Sequence, residues 1–112
     1  MINYHNKIFK AKGISANAEV TEDTLFHYRQ VGNIVMGTYQ GSKIKVGQLI
    51  AITGENGNLD MRYQHVNKSD EIMTGTCTSV PEILENGKIR LHEKWQWTSG
   101  DLSTGSSIIE EV

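Results

Sequence analysis

The sequence has few cysteines, prolines and histidines, and it lacks the clusters of such residues that indicate a specific chemistry. It contains one cysteine, Cys77, and one proline among its 112 residues. A single cysteine excludes an internal disulfide and any metal site built from several cysteines. The 4 histidines are dispersed, without the HxH or HxxxH spacing of metal ligands. We therefore expect neither a metal nor a cofactor.

Long apolar runs and blocks of positive charge are lacking as well. No run approaches the ~20 apolar residues that cross a bilayer. The polar start MINYHNKIFKAKG lacks the apolar segment, about 7–15 residues long, of a signal peptide. The net charge is −2, with Lys and Arg spread singly, which argues against nucleic acid as a partner. We expect a cytoplasmic protein without membrane contact, with one domain over residues 1–112.

Turn sequences at regular spacing dominate what is present. Asn56-Gly57 and Asn86-Gly87 are strong hairpin signals, because both turn residues must accept positive φ. No sustained 3.6-residue apolar period exists, and only residues 80–85 could form a helical turn. The fold class is therefore all-β, an up-and-down antiparallel barrel of eight to ten strands, since closure removes the edges of a long meander. The predicted strands are 7–12, 14–21, 24–31, 33–40, 43–54, 57–67, 70–80, 87–98 and 104–111.

Residues opposite each other across a hairpin share a face, so one assignment can be carried along the chain. A β-bulge would invert the assignment beyond it. The predicted apolar interior is Phe26, Tyr28, Val35, Tyr39, Ile44, Val46, Ile50, Ile52, Leu59, Met61, Tyr63, Ile72, Leu91, Trp95 and Trp97. The same assignment directs seven polar residues inward: Gln30, Gln48, His65, Thr74, Thr76, Thr78 and Glu93. It directs Val66, Met73 and Cys77 outward.

The stretch LHEKWQWTSGD, residues 91–101, places Glu93 in step with two tryptophans. An ionised carboxylate in a dry core costs several kcal/mol, so it must be paired, protonated or wet. A lumen that holds water or a ligand meets this condition, and barrel mouths are favoured ligand sites. We predict non-covalent binding of a small, partly apolar molecule. The predicted ligand-binding residues are Tyr28, Gln30, Tyr39, Tyr63, His65, Glu93, Trp95 and Trp97.

Two alternatives stay open. A small enzyme could use His65 and Glu93 as an acid and base, although their predicted strands are not adjacent; no catalytic residue is assigned. A filled barrel could instead be an assembly module, a homodimer joined through its outer face near Met73 and Val66. A lumen below ~300 Å³, the lower range of ligand pockets, would favour the filled barrel.

Four segments carry a resemblance: GTYQGSKIKVGQLIA, LDMRYQHVN, TGTCTSVPEILENGKIRLHEKWQWTSGD and SSIIEE. They resemble a family of short bacterial proteins that often carry the label N-acetylglutamate synthase. The resemblance implies a calycin-type barrel, similar to lipocalins, fatty-acid-binding proteins and avidins. It covers most of the chain from Phe26 onward.

The label conflicts with the residues. N-acetyltransferases bind pyrophosphate after an Arg/Gln-x-x-Gly-x-Gly/Ala loop that opens a helix, whereas RQVGNI has Ile34 in the last position. We do not carry that activity over. The stretch WQWTSG is also similar to the Trp-x-x-Thr-Ser-Gly segment of streptavidin. This match begins only at Trp95, and the biotin-contacting polar set has no other counterpart in the sequence.

Overall fold

The structure is a computed structural model that describes residues 2–112, so residue 1 of the predicted domain lies outside the described residues. It is a closed antiparallel barrel in which consecutive strands pair and the last strand pairs with the first. The described residues contain no helix, and the predicted up-and-down barrel is confirmed. The strands are β1 (Lys7–Ile14), β2 (Leu25–Val31), β3 (Ile34–Gly41), β4 (Ile44–Thr53), β5 (Leu59–Asn67), β6 (Ile72–Ile83), β7 (Ile89–Trp97) and β8 (Thr104–Glu111).

Two segments differ from the sequence-based expectation. The predicted strand 14–21 is mostly irregular, since β1 ends at Ile14 and residues 15–24 form a loop. Local turns hold that loop: the Ala18 amide donates to the Ser15 carbonyl and the Thr24 amide to the Thr21 carbonyl. The helical turn that residues 80–85 could have formed is absent, because β6 continues as a strand to Ile83.

The face assignment fails in β4 because of a β-bulge. Ile44 is buried, but the register shifts between Ile44 and Val46, and the following residues change sides. Val46, Ile50 and Ile52 are therefore 53%, 55% and 59% exposed, as is Gln48, instead of lining the interior. The residues that replace them inside are Gly47, Leu49 and Ala51.

The face assignment also fails in β6. Ile83 pairs with Ile89, one position away from the predicted pairing, and the odd-numbered residues of β6 point inward. At the other end of the strand, Asn67 Oδ1 accepts the amides of Ser69 and Glu71 and fixes a longer turn. The corrected inner residues are Met73, Gly75, Cys77 and Ser79, while Ile72, Thr74, Thr76 and Thr78 lie on the outer face. Elsewhere the predicted interior is confirmed: the aromatic residues of β2, β3 and β7 are buried.

Different segments cover the two ends of the barrel. At one end Tyr4 is fully buried against Tyr28, and its hydroxyl donates to the Gly57 carbonyl. The loop 15–24 lies over the other end, where Ala18, Glu19 and Val20 reach the lumen. Across residues 2–112 we find no helix of the length and hydropathy that a membrane span requires.

Candidate functional site

The lumen contains a cavity of about 50 Å³ between the plug at Tyr4 and the loop 15–24. This volume lies below the ~300 Å³ at which ligand pockets usually begin, and it suffices for about four water molecules. In the closed arrangement the barrel is therefore close to filled. All strands except β1 contribute to the wall, with Phe26, Tyr28, Tyr39, Leu49, Met61, Tyr63, His65, Cys77, Glu93, Trp95, Trp97 and Ser107.

Aromatic rings make up one side of this wall. The indoles of Trp95 and Trp97 meet with centroids 5.5 Å apart at 62°, and Tyr63 meets Trp97 at 5.8 Å and 67°. His65 meets the same indole of Trp97 at 5.7 Å and 76°. Such tilted and edge-to-face contacts let the ring quadrupoles attract and hold each ring in one orientation. The alternation of β5 and β7 directs these rings inward together.

Glu93 lies deep in this cavity, 8% exposed. Its carboxylate accepts hydrogen bonds from Ser79 at 2.9 Å and Ser107 at 3.3 Å, and a weaker one from the Cys77 thiol at 3.8 Å. Burial raises the pKa of Glu93 from the ordinary 4.5 to about 7, against the lowering effect of these hydrogen bonds. The carboxyl group is therefore poised to change its charge near neutral pH.

Tyr28 brings a second polar group to the same cavity. Its side chain is 1% exposed, and its hydroxyl has no hydrogen-bond partner within residues 2–112. Burial, with a further contribution from the charge of Glu93, raises the pKa of this phenol well above 10.0, so it stays protonated. A buried hydroxyl without a partner costs about 1–3 kcal/mol, and a ligand group that hydrogen-bonds to it would lower that cost.

His65 joins the wall to the loop 15–24. Its Nδ1 is hydrogen-bonded to the Tyr39 hydroxyl at 2.9 Å, and its Nε2 to Glu19 at 2.7 Å. The other oxygen of Glu19 accepts from the Asn67 amide at 2.9 Å. The Trp97 indole N–H also donates to the Asn17 carbonyl at 3.3 Å. Polar bonds to wall residues thus hold the loop closed over the lumen.

The structure brings seven of the eight predicted site residues to this cavity: Tyr28, Tyr39, Tyr63, His65, Glu93, Trp95 and Trp97. Gln30 is not among them, since it lies at the plugged end, where it accepts the Tyr4 amide and donates to the Gly32 carbonyl. No hydrogen bond joins His65 to Glu93 in the described chain, because each has its own partners.

Sequence reasoning missed several cavity residues. Cys77, predicted to face outward, faces inward and contacts Glu93, because the register of β6 differs by one residue. Ser79 moves inward by the same shift. Ser107 could have been found from the apolar alternation that ends at Ile109. Glu19 lies in a loop, where no periodic pattern reveals a side chain's direction.

The described residues 2–112 form neither a metal site nor the pyrophosphate loop of an N-acetyltransferase. Within residues 2–112 no group of three or more His, Cys, Asp or Glu side chains is placed to hold a metal ion. The stretch RQVGNI forms the hairpin between β2 and β3, where Gly32 has a φ of 59°, and a strand follows it. The helix N-terminus of a pyrophosphate loop is thus absent at this point of the described chain.

Comparison with known proteins shows to which family this barrel belongs. A family model described as Avidin-like protein matches residues 2–112, a range that includes WQWTSG. No curated protein and no solved structure matches the chain. The matched range covers nearly the whole sequence, and the fold is a closed eight-stranded antiparallel meander. The chain therefore belongs to the avidin-like family, a family of calycin-type barrels.

Proposed function

We propose that this protein binds a small, partly apolar molecule non-covalently in its lumen. The observation that carries the proposal is the unpartnered hydroxyl of Tyr28 in a cavity that also holds the buried carboxyl of Glu93. A barrel that is merely filled gains nothing from a buried hydroxyl without a hydrogen-bond partner or from a buried acid without a cationic partner. Membership of an avidin-like family is consistent with this function.

The cavity volume sets the size of the ligand. About 50 Å³ admits only a molecule of a few non-hydrogen atoms while the loop 15–24 stays in place. A larger ligand needs that loop to move, since Ala18, Glu19 and Val20 reach the cavity from the mouth. The proposed ligand-binding set is Tyr28, Tyr39, Tyr63, His65, Glu93, Trp95 and Trp97. The cytoplasmic location stays a prediction from the sequence.

A titration tests the proposal, because both tryptophans of the chain line the lumen. A metabolite library is screened by thermal shift and by tryptophan fluorescence, and hits are measured by calorimetry. Trp95→Phe should weaken binding of a hit about tenfold or more by removing part of the aromatic wall. The control Gln96→Ala changes an exposed neighbour on the same strand and should leave the affinity unchanged. A library without any hit at millimolar concentration would refute the proposal.

A second candidate, an assembly module, rests on the outer face of β3 and β4. Ile34 pairs with Ile52 and Met36 with Ile50, and these four side chains are 39–59% exposed. An exposed apolar patch on two adjacent strands suits a two-fold contact with a second copy of the chain. Met73 packs against the core and does not face outward as predicted, so it does not support the interface predicted near Met73 and Val66. The patch on β3 and β4 replaces it in this candidate.

Sedimentation velocity separates the two candidates. An assembly module should sediment as a concentration-dependent dimer, and Ile50→Lys should shift it to the monomer. Leu102→Lys, at a site 57% exposed in the loop between β7 and β8, is the matched control. A monomer at all concentrations would exclude the assembly candidate and leave the binding proposal intact.

A further inference from the structure

The charges that line the cavity are unbalanced. Two carboxyl groups, Glu19 and Glu93, and one imidazole, His65, reach it, and no Lys or Arg of residues 2–112 does. Glu19 is already bonded to His65 and Asn67. Glu93 receives only hydroxyl and thiol donors. The deep carboxyl is thus an acid without a cationic partner in the described chain.

The groups around Glu93 suit a positive charge. Six aromatic residues line the same cavity, and the faces of such rings attract cations, most strongly where water is excluded. The Tyr28 hydroxyl, which has no partner, can accept an N–H from a ligand with one of its lone pairs. An anionic ligand group would meet Glu93 without any Lys or Arg to offset the repulsion.

We propose that the lumen selects a small organic cation, an alkylammonium or amidinium group, with Glu93 as its counterion and the aromatic wall as its enclosure. This inference rests on the proposed function and names the ligand class for the same site. The cation takes the place of a proton on Glu93, so binding releases that proton into solution when Glu93 starts protonated. Tyr28 fixes the orientation of the nitrogen, and Trp95 and Trp97 cover its alkyl groups.

Proton release makes the affinity depend on pH. The groups that face Glu93 are Cys77 and Ser79 from β6, Ser107 from β8, and Tyr28, Tyr39 and Tyr63 from β2, β3 and β5. Burial raises the pKa values of the thiol and of the three phenols, so these groups stay neutral between pH 6 and 8. Glu19 and His65 line the mouth of the same cavity, and a His65→Gln variant tests whether the pH dependence of binding needs His65.

The test uses three probes that share a tert-butyl group: tert-butylammonium, tert-butanol and pivalate. Calorimetry of the whole protein at pH 8 should give the cation an affinity at least about tenfold above those of the alcohol and the carboxylate. The preference should vanish in Glu93→Gln, whose folding is checked by its melting temperature, and persist in Glu110→Gln at a site on β8 whose carboxylate pairs with Arg90. The cation's affinity should fall at pH 6 in the wild type and in His65→Gln, and change little in Glu93→Gln.

Each other outcome overturns the inference. Equal or tighter binding of tert-butanol or pivalate would exclude the cation as the ligand class, while binding in the lumen would still stand. No binding of any of the three probes would also refute it, and the metabolite screen then decides the proposed function by itself. Retention of the preference in Glu93→Gln would remove Glu93 as the counterion and with it the proposal.

Discussion

Large side chains in the lumen depend on glycines directly opposite them. An aromatic ring on one strand can lie flat over its neighbour only where that neighbour has no Cβ. At three places an added Cβ would come within 2.2–2.5 Å of ring atoms or of the phenolic oxygen. The pairs are Tyr39 with Gly47, Tyr63 with Gly75 and Trp95 with Gly105. These glycines give the aromatic wall its space in a small barrel.

Replacing Gly105 tests this packing. A Cβ there would lie 2.3 Å from Trp95 Cζ2, so the indole must move into the cavity. We expect Gly105→Ala to lower the free energy of unfolding by about 1–3 kcal/mol, the usual cost of overpacking, and to change the near-ultraviolet circular dichroism. Gly13→Ala is the matched control, because its Cβ would meet Ile108 at an ordinary 3.8 Å. Equal stability of the two variants would contradict the prediction.

Most residues of the candidate site could be predicted from the sequence, because aromatic residues at every second position of a strand lie on the same face. No bulge interrupts β7, so one face of this strand carries Glu93, Trp95 and Trp97. Gln30 could not be placed in the same way. Its side-chain oxygen accepts the backbone amide of Tyr4, which holds the Gln30 side chain at the plugged end of the barrel. Tyr4 belongs to a segment with no periodic pattern. Contacts with irregular segments leave no signal in strand periodicity.

The loop 15–24 is the element that controls access to the lumen. Glu19 anchors it to His65 and Asn67, and its backbone accepts the indole N–H of Trp97. Its outer part is held separately, by bonds from Ser15 and Asn17 to β8 and the loop before it. Loss of the Glu19 bonds should therefore open the mouth without detaching the whole loop.

Glu19→Ala tests the anchor. We expect the global stability to fall by about 1 kcal/mol, since the lost bonds are charge-assisted but lie partly in solvent. Amide hydrogens of residues 16–20 should exchange faster, and acrylamide should quench the tryptophans more strongly. Glu22→Ala, an exposed site in the same loop, is the control and should change neither readout. Unaltered exchange in Glu19→Ala would show that other contacts close the loop.

A bulge and displaced turns explain why the sequence predicted the wrong inner face for β4 and β6. The bulge after Ile44 inverts β4, and the observed turn pairs Ala51 rather than Ile52 with Met61. These two errors cancel, so the inner face of β5 was predicted correctly. In β6 the displaced turn at Asn67 inverts the strand, and the displaced pairing at Ile83 restores β7. Hydrophobic alternation specifies which faces exist, but hydrogen bonds in the turns set the register between strands.

For the whole molecule, Glu93 links stability to pH. Its pKa is about 7 in the folded protein, against 4.5 for an ordinary glutamate. Between these values the folded state holds a proton that the unfolded chain has released. The contribution of Glu93 is thus fully present below pH 4.5 and is lost as the pH rises through about 7. The difference corresponds to about 3 kcal/mol at most.

Urea unfolding of the wild type and of Glu93→Gln between pH 5 and 8.5 measures this contribution. The wild type should lose stability relative to the variant as the pH rises, because only the wild type must bury an ionised carboxylate above pH 7. Ionisable groups common to both proteins affect both curves alike, so the difference between the curves isolates Glu93. That difference should grow by about 1–3 kcal/mol across the range. Parallel curves would mean that Glu93 is ionised and compensated throughout, and would remove the uncompensated acid on which the choice of a cationic ligand depends.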